Sequence, residues 1–195
     1  MSRRIALIEG HPDPQGGHFC TALAAAYARG ADSAGHQVDR IKVAALDFPL
    51  LRQKAEWDQG EPPPAIESAQ HLIKAADHLV IIYPLWMGSM PALLKGFFEQ
   101  VFRPGFAISR TEGPGMWEQL LKGRSARIVV TMGMPAFFYR WFYRAHSLKA
   151  LERNMLSLCG IGPIRASVIG LVESENSTRR ERWLRRIEKM GEQAK

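Results

Sequence analysis

The chain is poor in the residues that usually announce a function. It has only two cysteines, Cys20 and Cys159. Two thiols cannot build a disulfide framework or a four-ligand zinc site, so both are read as reduced, and the expected location is cytoplasmic. The sequence contains no Gly-x-Gly-x-x-Gly, no Walker A motif, no His-Glu-x-x-His and no Cys-x-x-Cys. Those absences remove the readings that depend on them: a dinucleotide fingerprint, a P-loop and a zinc hydrolase. The six histidines are scattered, so no metal site is expected. Ser89 has no nucleophile-elbow context. No apolar run approaches the ~18 residues needed to cross a bilayer, so neither a membrane span nor stable insertion is expected. The first apolar run, Ile5-Ala-Leu-Ile8, is too short for a signal peptide. No repeat, low-complexity tract or linker interrupts the 195 residues, which implies one domain over 1–195 with enough chain for a real core.

Acidic residues are outnumbered by basic ones, giving a net charge of +7. Such a balance favours acidic partners: nucleic acid, a membrane surface or phosphorylated small molecules. Much of the excess is Arg179, Arg180, Arg182, Arg185, Arg186 and Lys189, interleaved with Glu181 and Glu188 at helical spacing. That pattern reads as a solvated helix face. No nucleic-acid-binding motif accompanies it, so no nucleic-acid partner is expected.

Short β-rich apolar runs alternate with amphipathic stretches. The period predicts strands over 3–9, 37–43, 77–83, 125–132 and 166–171, and helices over 18–34, 65–76, 91–101, 142–158 and 177–193. Residues 44–64 read as a long polar connection. Residues 102–123 read as a second excursion, with a short helix over 116–121. Alternating strands and helices imply an α/β fold whose parallel sheet is covered on both faces.

Chemistry in such a sheet gathers in the loops that follow the strands. After the first strand comes Gly10-His-Pro-Asp-Pro-Gln-Gly-Gly17. Its glycines and the amides opening the next helix make an anion site, with His11, His18, Phe19 and Cys20 beside it. His11 also fits a simple turn cap. After the third strand, Pro84, Leu85, Trp86, Met87 and Gly88 form a Pro/Gly loop. It offers a large ring, a soft thioether and approachable backbone to a flat ligand. The same residues would also serve as an ordinary turn before a core helix. After the fourth strand, Thr131, Met132, Gly133 and Met134 turn backbone amides toward the same edge.

The stretch Pro84-Leu-Trp-Met-Gly-Ser-Met-Pro-Ala-Leu-Leu-Lys-Gly-Phe97, followed by Val101-Phe-Arg-Pro-Gly-Phe-Ala107, resembles the flavin-ring loop of the NAD(P)H:quinone oxidoreductase (DT-diaphorase) family. Gly-His-Pro-x-Pro resembles that family's phosphate loop, although His18-Phe19-Cys20 stands where the family has Ser-Phe-Asn. The turn after Thr131 resembles the family's Thr-Thr-Gly-Gly. The resemblance covers about 5–172. It implies a flavodoxin-like three-layer sandwich holding FMN or FAD noncovalently. NADPH or NADH would deliver a hydride, and a quinone-like acceptor would collect it by a ping-pong mechanism. It further implies a homodimer with the active site at the subunit interface. Tyr139 matches a family tyrosine that handles protons over the flavin. His146 lies one position beyond that tyrosine's partner histidine, and an exposed helix-face histidine is its plain alternative. Azo or nitro compounds are alternative acceptors. Some relatives are instead ancillary subunits of potassium-efflux systems, which makes a regulatory flavoprotein the alternative of another class. The basic charge argues against an acidic electron shuttle. In Phe137-Phe-Tyr-Arg-Trp-Phe-Tyr143 the remaining rings read as core or dimer packing.

Overall fold

The computed structural model describes residues 2–110, 117–173 and 177–195. Along the chain these form β1 (Arg4–Glu9), α1 (Phe19–Ser33), β2 (Gln37–Lys42), α2 (Lys54–Gln59), α3 (Pro64–Ala75), β3 (His78–Pro84), α4 (Ala92–Val101), β4 (Ile108–Arg110) and β5 (Trp117–Gln119). They continue as β6 (Ser125–Thr131), α5 (Ala136–Trp141), α6 (His146–Lys149), a π-helical segment over Ala150–Leu156, β7 (Ile164–Ile169) and α7 (Ser177–Glu192).

Five strands pair in parallel in the order β2-β1-β3-β6-β7. Successive side chains of a strand point to opposite faces, and the central strands are apolar in nearly unbroken runs, so both faces are covered. In β1, Ala6 and Ile8 enter one core while Ile5 and Leu7 enter the other. In β3, Leu79, Ile81 and Tyr83 face the first core, and Val80 and Ile82 the second. Helices α3 and α4 cover the first face with Ile66, Ile73, Leu94 and Phe97, and α1 and α7 cover the second with Leu23, Tyr27 and Ile187. This is the flavodoxin-like architecture expected from the sequence.

Helices α1 and α7 approach almost backbone to backbone. A Cβ on Gly30 would lie 1.9 Å from the Glu188 carbonyl oxygen, and one on Gly191 2.1 Å from that of Tyr27. Glycine costs a helix about 1 kcal/mol relative to alanine, yet here it is what lets α7 dock.

The sheet winds outward from β1 to β2 and then, from β3, in the opposite direction. The carboxyl ends of β1 and β3 therefore border the point where strand order reverses, the place where open α/β sheets bind ligands.

Several boundaries differ from the sequence reading. The polar connection contains α2, held by Arg103, which donates to the Glu56 and Gly60 carbonyls. The helix expected over 116–121 is instead an antiparallel pair, with Ile108 opposite Gln119 and Arg110 opposite Trp117. Residue 116 lies outside the described residues. The long helix expected over 142–158 starts earlier and is broken where Arg144 and Ala145 both adopt left-handed backbone, at φ 50° and 51°. The last strand begins at Ile164 rather than residue 166, because its pairing partner Ala126 sits there in register.

Candidate functional site

The three loops foreseen after β1, β3 and β6 leave neighbouring strands at one edge of the sheet. Long-range bonds draw them together. The Gly10 amide donates to the Ile82 carbonyl at 2.8 Å, and the Leu85 amide to the Thr131 carbonyl at 2.7 Å. Cys20 Sγ and Thr131 Oγ1 lie 3.2 Å apart, tying the start of α1 to the end of β6.

The first loop carries a cluster of polar rings. His11 and His18 stack, with ring centroids 3.7 Å apart, and His11 meets the edge of Trp86 at 5.9 Å. The Asp13 amide donates to His11 Nδ1 at 3.2 Å, and the Asp13 carboxylate lies 2.9 Å from His18 Nε2. Burial, then the nearby charge of His18, holds His11 below the usual imidazole pKa. The Asp13 carboxyl is lowered by the Gln15 amide that it accepts and by His18. Gly16 and Gly17 are both left-handed, at φ 78° and 77°, with open space around them. His18 caps α1 in extended conformation but makes no side-chain cap bond. The first-turn amides of α1 thus keep their capacity for an anion.

The second loop folds into a tight two-residue hairpin. Trp86 and Ser89 exchange backbone bonds of 2.8 and 2.9 Å around Met87 and Gly88. Both central residues have positive φ, 47° and 78°, the requirement of a turn that matches strand twist. Glycine suits the second of these positions, and Met87 is projected fully into solvent. Trp86 is half-exposed. Pro84 ends β3, half-buried, and Leu85 packs on the core.

In the third loop Thr131 and Met132 are buried and Met134 packs on the core. The carbonyls of Met132 and Met134 accept the amides of Val172 and Leu171, each at 3.2 Å. Among the described residues, the amides of Met87, Gly88, Gly133 and Met134 donate to no backbone carbonyl. They remain available to a ligand.

Not every residue singled out in the sequence faces this edge. Cys20 is buried, and burial pushes its thiol up to about 11, so its side chain is a packing group. Phe19 lies under the Arg180 guanidinium at 5.8 Å, against α7. The expected Tyr139–His146 pair is not formed. The Tyr139 ring is buried, its hydroxyl bonds Ser147 Oγ at 2.8 Å and accepts the Leu148 amide at 3.2 Å, while His146 is exposed. The left-handed step at Arg144 and Ala145 turns the chain so that Ser147, not His146, meets the tyrosine.

One contributor was missed. The segment after β7 folds back on the third loop, and the Glu173 carboxylate stands where a Gly133 side chain would be, 3.1 Å from that Cβ position. No local motif marks it. Among the described residues no group of three or more His, Cys, Asp or Glu is arranged to hold a metal ion.

The model of the flavodoxin-like fold family matches residues 3–190. An uncharacterized NAD(P)H oxidoreductase of Haemophilus influenzae is 30% identical over 114 residues, 58% of this chain and 55% of that protein. An FMN-dependent NADH:quinone oxidoreductase of Ruegeria pomeroyi is 28% identical over 150 residues, 69% of this chain and 72% of its own. The chain spans about half the length of several curated relatives, the Haemophilus protein among them. The structure of an NAD(P)H:quinone oxidoreductase from Methanothermobacter marburgensis covers 100% of both chains with TM-score 0.82 and 22% identity, a likeness of fold. The match runs through every strand of the sheet and all three loops at its carboxyl edge: the chain belongs to the flavodoxin-like fold family.

Proposed function

We propose that this protein is a flavin-dependent NAD(P)H dehydrogenase that passes two electrons, by a ping-pong mechanism, to a quinone or similar acceptor. One observation carries the reading: three loops converge near the strand-order reversal and present amides that, among the described residues, donate to no backbone carbonyl, beside a half-exposed tryptophan. The donor set fits a flavin. Gly16, Gly17 and the first turn of α1 suit its phosphate, as do His11 and His18. Trp86 and Met87 suit the ring system, and the amides of Met87, Gly88, Gly133 and Met134 suit the polar ring edge. The name of the Ruegeria relative favours FMN over FAD.

When bound, the flavin supplies the hydride chemistry, taking two electrons from a nicotinamide and giving them to the acceptor. The chain's own work is binding and electrostatics. Preorganised amides stabilise negative charge as it develops, the logic of an oxyanion hole. Trp86 offers its exposed face to a planar donor or acceptor. The hydroxyl of Tyr139 is already committed to Ser147 and Leu148. Its role is to fasten α5 against α6.

A second copy of the chain completes the site. Helix α5 and the residue that follows it leave Phe137, Trp141 and Phe142 exposed, with Trp141 82% accessible. Single exposed apolar residues are ordinary, but several large ones on one short segment suit an interface. Burying it in a homodimer would wall the cleft.

The test is a visible spectrum of the purified protein before and after NADPH or NADH without oxygen. A flavin band that bleaches, and returns on adding a quinone, is the expected outcome. Azo and nitro acceptors in the same assay define the acceptor range. A protein that stays colourless after incubation with FMN or FAD sinks the proposal. Light scattering of wild type and Trp141→Glu tests the dimer.

A further inference from the structure

The amino ends of the strands, at the edge of the sheet away from the three loops, border a second polar cavity. Its residues follow from strand geometry. Ile5, Val80 and Val129 point into the core under α1 and α7. Side chains two positions earlier share that face, and these are Arg3, His78 and Arg127. Arg165 joins them as the register partner of Arg127. The cavity has a volume of about 560 Å³ and lies against the end of α7, with Arg3, His78, Arg165 and Lys195 in its walls. Arg127 is buried next to it and donates through Nε to the Lys195 carbonyl at 3.0 Å.

Two features distinguish this cavity from an ordinary polar surface. The first is its charge. Like charges opposite each other in a sheet repel, yet Arg127 stands opposite Arg165. Arg3 is held close by, donating to the Ala194 carbonyl at 3.2 Å. Among the described residues, none of these three arginines forms an ion pair with a carboxylate side chain. Asp77 is the one acidic side chain in the wall, and its carboxylate accepts the Arg4 amide at 2.9 Å. The second feature is a buried ring. His78 is 2% exposed, and its Nδ1 lies 2.7 Å from Ser125 Oγ. Its Nε2 has no hydrogen-bond partner among the described residues. Buried polar atoms are seldom left in that state. Burial first, then Arg3, Arg127 and Arg165, lowers the pKa of this ring, so the positive potential of all three reaches it. The Tyr27 hydroxyl, under the charges of Arg127 and Arg3, is likewise unpaired among the described residues.

We propose that this cavity binds a small oxyanion, a phosphate or carboxylate group, held by the guanidinium groups of Arg3 and Arg165 above the His78 ring. Guanidinium forks match the oxygens of both groups. An anion there would offset the repulsion between Arg127 and Arg165. The site does not depend on the flavin reading. Strand β3 runs from His78 to Pro84, which puts about 20 Å of strand between the cavity and the flavin loops.

The test follows the imidazole resonances by proton–nitrogen NMR at about pH 8, where an ordinary imidazole is neutral. Inorganic phosphate and malonate are titrated separately, each against sodium chloride of equal ionic strength. The His78 resonance, identified by its loss in His78→Gln, should shift and saturate with at least one of the two. Chloride should give only a small drift that does not saturate. A response to phosphate alone assigns a phosphorylated ligand and to malonate alone a dicarboxylate; a response to both assigns a site that reads charge, and each supports the proposal. Arg165→Gln, at an exposed position, should raise the dissociation constant about tenfold or more with an unchanged circular dichroism spectrum. Arg3→Gln should act alike. Phosphate also suits the amides that open α1, so His18→Ala is the control, and the His78 response should survive it.

No saturable shift with either anion, an equal response to chloride, or a dissociation constant unchanged in both arginine variants overturns the proposal. So does a His78 response that disappears in His18→Ala, which would place the anion at the first loop instead.

Discussion

Replacing Gly30 with alanine separates helix propensity from packing, because the two give opposite signs. Propensity alone stabilises α1 by about 1 kcal/mol. The structure opposes this. The new Cβ would stand 1.9 Å from the Glu188 carbonyl oxygen, 2.8 Å from its carbon and 3.1 Å from the Glu192 nitrogen. All three are backbone atoms of α7, so no side chain can rotate away, and α7 must retreat by about 1 Å. Overpacking of a tight contact costs about 1–3 kcal/mol, and an obstacle made of backbone belongs at the upper end. Net destabilisation is about 2 kcal/mol, which lowers the melting temperature of a domain this size by about 4–8 °C. Gly191→Ala, facing the Tyr27 carbonyl at 2.1 Å, should cost a similar amount. The double variant should cost less than the two together, since one retreat of α7 relieves both clashes. Urea denaturation followed by circular dichroism measures each term. A Gly30→Ala protein as stable as wild type or more so, or strict additivity of the pair, would refute the close approach of α1 and α7.

Other outcomes follow from the same geometry. Tyr139→Phe strands the Leu148 amide and Ser147, and should lower stability by about 1–3 kcal/mol while leaving the anaerobic rate of flavin reduction by NAD(P)H within about twofold; a large rate loss at unchanged stability would restore a proton-handling role. Cys20 and Cys159 are buried, with burial pushing their thiols up to about 11 and about 12. Both should resist Ellman's reagent at pH 8 until denaturant is added; prompt reaction of either in the native protein would contradict that packing. His78 is buried, with Nδ1 on Ser125 Oγ at 2.7 Å and, among the described residues, no hydrogen-bond partner for Nε2. Burial first, then Arg3, Arg127 and Arg165, lowers its pKa from 6.5 to about 4. The unfolded chain therefore binds this proton first. The contribution to stability is fully present above about 6.5 and is lost as pH falls toward 4. The pH dependence of the urea midpoint should be weaker in His78→Gln, and an unchanged dependence would contradict the neutral buried ring.

The sequence by itself determined the strand-and-helix order, the two-faced sheet and the three loops at its edge. These rest on local signals: short β-rich apolar runs such as Ile5–Ile8, turn clusters such as the glycines and prolines after β1, and one long motif from Pro84 to Phe97. Only the tertiary structure decided what those loops do with their side chains. Cys20 meets Thr131, 111 positions away. Glu173 reaches Gly133 through a fold-back after β7, and Trp117 joins a strand because Arg110 lies opposite it. Tyr139 turns to Ser147 because two left-handed residues break the helix between them. Each of these depends on contacts between distant segments or on a backbone kink without a glycine or proline to announce it. A local pattern names the residues near a site; the packing of the whole sheet chooses which atoms face one another.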